Sequence, residues 1–303
     1  MSRTPVQEKE DLMFRGSLPA LVTPFCDEAF DEGAFRDFVE WQIAEGSHGL
    51  VPCGTTGEAS TLDFEEHWRV VEICVDQARG RVPVVAGCGS NCTRSAKANM
   101  KAAAERGADA ALCVVPYYNK PSQDGLYAHF AALAEASALP ILIYNVPSRT
   151  VADISVETLG RLAGIDTIVG VKDASGNLAR VSAQRIACGT GFAQLSGNDD
   201  MSLGFMAMGG VGCVSVSANV APRLCADFQN ACLAGDWPQA LALQDRLYPL
   251  HAALFSDASP GPTKYALSRL KPGFPEGLRL PMTPASAASR RAVDSALEHA
   301  GLI

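Results

Sequence analysis

Lys172 stands in Ile168-Val169-Gly170-Val171-Lys172-Asp173, an apolar run that carries its amine toward the end of a buried strand. Lysine is rarely buried without cause. Desolvation favours the neutral form of an amine, and only the neutral amine attacks a carbonyl, so the position suits an imine with an oxo acid. The residues alone leave a second reading open, a lysine that snorkels from a strand end and pairs with Asp173. Tyr144 ends another apolar run and is followed by Asn145-Val146-Pro147-Ser148-Arg149. A phenol beside an iminium can pass protons, and an arginine can grip a carboxylate through two bonds. The same pair could equally be a packed aromatic and a surface cation. Gly54-Thr55-Thr56-Gly57-Glu58 is a turn whose backbone N–H groups and hydroxyls suit a carboxylate or phosphate, although such turns also serve structure alone. Tyr117 and Tyr118 are adjacent at the end of a further run, so at most one of them faces the same side as a site.

Other chemistries find no footing. His48, His67, His129, His251 and His299 show no HExxH spacing, so no metal is expected. No GxSxG elbow and no P-loop occur. The ten cysteines include no CxxC pair, and small buried thiols are the expected reading, Cys53 beside the glycine turn included. A formal charge of -8 argues against a nucleic-acid partner. Met1 to Arg15 is polar with no apolar signal core, and no apolar run nears the ~20 residues a membrane span needs, which predicts a cytoplasmic protein with a loose tail over 1–15.

Eight short apolar runs must position these residues: 17–25, 49–54, 83–89, 110–118, 140–147, 167–175, 192–199 and 210–219. Helix-like segments such as Glu32 to Gly46, Phe64 to Arg79, Thr93 to Arg106 and Gly125 to Ser137 lie between them. Continuous apolar strands alternating with helices predict a parallel sheet covered on both faces, and eight such units predict an α/β chain folded as a (β/α)8 TIM barrel. An open doubly wound sheet is the weaker alternative, because no GxGxxG follows the first run. From Pro222 to Ile303 the pattern is helical, so a barrel over 16–224 and a C-terminal helical domain over 225–303 are expected. The site then belongs at the C-terminal ends of the strands.

With these residues in place, the chain resembles the dihydrodipicolinate synthase and N-acetylneuraminate lyase family of class I pyruvate aldolases. The resemblance runs from about Phe14 into the C-terminal helices. It rests on GTTGE at 54–58, PYYNKPSQDGLYAHF at 116–130, YNVPSRT at 144–150, GVKDASGN at 170–177, LSGND at 195–199 and SVSANV at 215–220. It implies that Lys172 forms an imine with pyruvate, that Tyr144 transfers protons, and that Thr55 relays them. It implies further that Tyr118 completes the relay from a neighbouring subunit of a homotetramer built as a dimer of dimers. Thr56 would hold the pyruvate carboxylate, with Gly197 and Val214 lining the pocket through their backbone; the family usually has Ile where Val214 stands. No metal or cofactor is implied beyond the imine itself.

The arginine of NVPSRT, Arg149, points to aspartate semialdehyde as the second substrate and to diaminopimelate and lysine biosynthesis, since sialic acid lyases typically lack it and carry Ser-Thr in the glycine turn. Related aldolases acting on sialic acid, 2-keto-3-deoxy sugar acids or 4-hydroxy-2-oxoglutarate are the runner-up, and a silent oxo-acid sensor a more distant one. Feedback-inhibited members typically have His where Phe64 stands and Glu where Ser95 stands, while His67, Asn91 and Tyr117 are retained. Loss of that carboxylate removes a partner for the ammonium group of lysine, so weak or absent inhibition by lysine is expected.

Overall fold

The computed structural model describes residues 12–303, so the tail expected over Met1–Arg15 lies, up to residue 11, outside the described residues. Among the described residues the chain divides into two compact units, one of Gly16–Val84 with Ser215–Ile303 and one of Val85–Val214 with residues 12–15.

In the first unit, β1 (Gly16–Pro19) is extended by a parallel bridge from Ala20 to Val51, and a second parallel bridge joins Leu50 to Val84. The second apolar run therefore contributes isolated bridges rather than a full strand. Pro52 has no N–H to donate, and Cys53 takes a left-handed φ of 56° that turns the chain away. The first run also ends differently from expectation. Its last residues enter an antiparallel hairpin, β2 (Phe25–Cys26) with β3 (Ala29–Phe30), closed by Asp27 and Glu28 at φ 47° and 64°. Positive φ at both central residues is what a tight two-residue hairpin requires.

Helices follow wherever a cap precedes a periodic apolar face. Asp31 caps Glu32–Ala44 by accepting from the Ala34 N–H, and the helix buries Phe35, Phe38 and Val39. Asp63 and Glu66 form a reciprocal capping box on Phe64–Ala78. The C-terminal residues form helices at Pro222–Ala234, Trp237–Ala253, Gly261–Leu270 and Ala287–His299. Helix does not run throughout, as the periodicity had suggested. Residues 271–286 contain Pro272, Pro275, Pro281 and Pro284, which remove donors and clash with a preceding turn, and the stretch is irregular.

From Val85 onward, β4 (Val85–Gly87), β5 (Ala110–Val114), β6 (Ile141–Asn145), β7 (Ile168–Asp173), β8 (Ala193–Ser196) and β9 (Gly212–Ser215, of which Gly212–Val214 belong to the second unit) pair in sequential order. Every pairing is parallel. Each strand lies inside one of the predicted apolar runs. The helices Thr93–Glu105, Gln123–Ala136, Val156–Leu162 and Ala179–Cys188 separate them. Gly170 on β7 is required by packing, because a Cβ there would run into the Ala193 carbonyl oxygen of β8.

His129, on the helix Gln123–Ala136, has its Nδ1 2.9 Å from the Thr93 hydroxyl, while its Nε2 is buried without a partner among the described residues. Burial pushes its pKa from 6.5 down to about 4. As pH falls from 6.5 toward 4, the unfolded chain takes up a proton that the folded chain refuses, so stability falls across that window. Denaturant titrations at pH 7 and pH 5 are expected to differ by about 2 kcal/mol from this group, and His129→Asn to lose that component. An unaltered pH dependence in the variant would contradict the assignment.

Candidate active site

Alternation along parallel strands sorts the polar residues of the second unit onto two faces. Tyr144 on β6 is in register with Lys172 on β7, and Lys172 with Leu195 on β8. On the opposite face Asn145 is in register with Asp173, and Asp173 with Ser196.

That opposite face is closed upon itself. Asp173 accepts from Arg180 Nε at 3.0 Å, from Gln184 Nε2 at 2.6 Å and from the Ser175 N–H at 2.8 Å. Asn145 donates to Asp153 Oδ1 at 2.8 Å and accepts from the Ile154 N–H. Asp173 is thus committed to Arg180 and Gln184, and the pairing of Lys172 with Asp173 is not what the fold forms.

The Lys172 side chain is 7% exposed, with Nζ 4.1 Å from the centre of the Tyr144 ring. Tyr144 is itself buried. Gly197 lies one step beyond β8, and a Cβ added to it would sit 2.7 Å from the Ala174 Cβ and 3.1 Å from Lys172 Cε. The glycine therefore leaves room along the lysine stem that any other residue would fill. Val214 falls two residues after Gly212, which shares the face of Leu195 and Lys172, and it is buried. Backbone bonds continue the ladder past the strand ends, from Ala174 N to Asn145 O at 2.8 Å and from Gly197 N to Asp173 O at 2.8 Å. Lys172, Tyr144, Gly197 and Val214 thus share one face.

Arg149 lies five residues after Tyr144 on the short helix Pro147–Thr150. It is exposed, and its guanidinium has no ion-pair partner among the described residues. Tyr118 is 94% exposed and has φ 71°, an uncommon state for an aromatic residue. Its loop is braced by Asn91, which donates to Tyr117 O at 3.2 Å and accepts from Asn119 Nδ2 at 2.8 Å.

Thr55 and Thr56 belong to the first unit, Thr55 exposed and Thr56 buried. Their turn is bonded from Gly57 N to Gly54 O at 3.1 Å and from Glu58 N to Thr55 O at 3.1 Å. Cys53 beside it is fully buried, donates to His67 O at 3.3 Å, and burial drives its thiol well above the ordinary range. Such a thiol is a poor nucleophile. Among the described residues no group of three or more His, Cys, Asp or Glu side chains is arranged to hold a metal ion.

The sequence reading overlooked Glu58 and Lys264. Lys264 is completely buried and donates to Glu58 Oε1 at 2.6 Å. The only signal was the terminal Glu of GTTGE, for 206 residues separate the partners and helical periodicity does not announce a buried lysine.

The dihydrodipicolinate synthetase family model matches residues 13–300. The chain belongs to this family. Among curated relatives, the 4-hydroxy-tetrahydrodipicolinate synthase of Rhizorhabdus wittichii is 69% identical, over 96% of this chain and 100% of that protein. The enzyme of the same name from Zymomonas mobilis is 64% identical over 96% and 100%. Among solved structures, dihydrodipicolinate synthase from Aquifex aeolicus is 41% identical with a TM-score of 0.93, covering 95% of this chain and 99% of that one. That of the Acinetobacter baumannii enzyme complexed with pyruvate is 44% identical, also at 0.93, covering 95% and 99%. The fold is accordingly that of a (β/α)8 barrel with C-terminal helices. No helix among the described residues is long and apolar enough to cross a membrane.

Proposed function

We propose that this family member is a 4-hydroxy-tetrahydrodipicolinate synthase, condensing pyruvate with aspartate semialdehyde in the cytoplasm. The observation that carries the reading is the buried Lys172 amine beside the Tyr144 ring, with no carboxylate partner among the described residues and with Gly197 leaving room along its stem. An amine that no carboxylate engages among the described residues is available to add to a carbonyl. That amine adds to the pyruvate C2, and loss of water gives the imine. The protonated imine withdraws electrons, the methyl group gives up a proton to form an enamine, and the enamine carbon bonds to the aldehyde carbon while the aldehyde oxygen takes up a proton. The amino group of the semialdehyde then adds to the regenerated imine carbon, closing the ring and expelling the lysine amine. The lysine itself provides the electron sink, so no further cofactor enters.

In this reading Tyr144 passes protons at the imine and Thr55 relays them. Tyr118, exposed on its braced loop, serves the site of a neighbouring subunit in a dimer-of-dimers tetramer. Thr56 holds the pyruvate carboxylate, which Gly197 and Val214 face through their backbone. Arg149, with no ion-pair partner among the described residues, takes the carboxylate of the semialdehyde in a two-bond grip. Exposed Phe64 and Ser95 stand where a lysine-inhibited relative has His and Glu, so inhibition by lysine is weak or absent.

Expression in a strain that lacks this activity and needs diaminopimelate is expected to restore growth. In a purified assay, Arg149→Ala is expected to raise KM for the semialdehyde about 100-fold, with pyruvate KM little changed. Absence of rescue, together with consumption of a different aldehyde alongside pyruvate, would favour another aldolase on the same scaffold.

A further inference from the structure

The Gly54-Thr55-Thr56-Gly57 turn lies between two non-glycine residues in the left-handed region, Cys53 at φ 56° and Glu58 at φ 53°. Such backbone states persist where their surroundings over-determine them. Each end of the turn is held. The Gly57 carbonyl accepts from the Thr23 hydroxyl at 2.7 Å, and a Cβ on Gly57 would come within 2.9 Å of Leu21 O. The Glu58 carboxylate accepts from Lys264 Nζ at 2.6 Å and from the Arg279 N–H at 3.1 Å. Lys264 also donates to Gly277 O at 2.6 Å and lies 4.4 Å from the centre of the Phe25 ring. The Arg279 side chain bonds Thr61 O at 3.0 Å, just past the turn, and both Glu66 carboxylate oxygens at 2.6 Å.

A buried ion pair is weak grounds for stability, because well-packed apolar residues often replace one at no loss. What this pair does have is a fixed length and direction, with one end on the turn that carries Thr55 and Thr56 and the other on the helix Gly261–Leu270. We propose that the Glu58–Lys264 ion pair is a positioning device that sets the Gly54–Gly57 turn for the carboxylate of the oxo acid, so that the C-terminal helices tune substrate affinity. The inference rests on the reading of Thr56 as the residue that holds that carboxylate.

The test is steady-state kinetics on the full-length enzyme, with Lys264→Met and the double variant E58Q/K264M, each followed by a thermal melt. The double variant leaves no unpaired charge and keeps an acceptor for the Arg279 N–H. Both folded variants are expected to raise pyruvate KM about tenfold, with semialdehyde KM within about twofold and kcat within about threefold. A pair that only stabilises the fold would not split the two substrates in this way. Pyruvate KM unchanged in the folded variants, a parallel rise for both substrates, or failure of both variants to fold would overturn the proposal. Thr56→Val serves as the control: unchanged pyruvate KM there defeats the carboxylate reading itself, whereas a rise there with none in the Lys264 variants defeats only the positioning role.

Discussion

Lys172→Ala is expected to lower kcat for condensation by more than about 10³-fold, because in the proposed mechanism its amine nitrogen makes the one covalent bond between enzyme and substrate. The fold should survive the change. Nζ pairs with no carboxylate among the described residues, and Asp173 on the opposite face keeps its bonds to Arg180 and Gln184. Removal of the lysine therefore strands no buried partner, which is the usual reason a buried charge deletion destabilises a protein. A circular dichroism melt close to that of the parent, alongside lost activity, is the expected pair of results. Lys172→Arg should be equally inactive, since a guanidinium stays protonated and does not add to carbonyls.

Tyr144→Phe is expected to reduce kcat by about 10²- to 10⁴-fold, the range a positioned proton-transfer group supplies. The substitution keeps the ring, and with it the surface against which the lysine rests 4.1 Å away. Imine formation at saturating pyruvate should still reach completion, though slowly, so binding and proton transfer separate in this variant. A kcat within threefold of the parent would remove Tyr144 from the chemistry and reduce it to packing.

The parallel strands of the second unit were legible because both their faces are covered and their apolar runs are nearly continuous. Alternation along β7, which would have set Lys172 and Asp173 on opposite faces, was not applied to that pair, and their pairing stayed open until the register with β6 and β8 was known. The stretch around residues 49–54 was harder. It reads as a strand by composition, yet Pro52 and the left-handed Cys53 limit it to the bridges at Leu50 and Val51. The hairpin of Phe25–Cys26 with Ala29–Phe30 was missed because its turn is Asp27-Glu28, and glutamate is not a residue expected at positive φ.

At the site, residue type and motif order picked out Lys172, Tyr144 and Arg149. They did not disclose which charges near them were already taken. That Asp173 belongs to Arg180, or that Lys264 meets Glu58 across 206 residues, is a matter of tertiary packing that no local pattern encodes.

Reductive trapping tests the central claim most directly. The full-length protein is incubated with pyruvate and borohydride, digested, and its peptides mapped by mass spectrometry. A single pyruvate-derived adduct on the peptide that contains Lys172, absent when pyruvate is omitted, is the predicted result. An unmodified Lys172 peptide, or an adduct carried only by another lysine, would contradict the account.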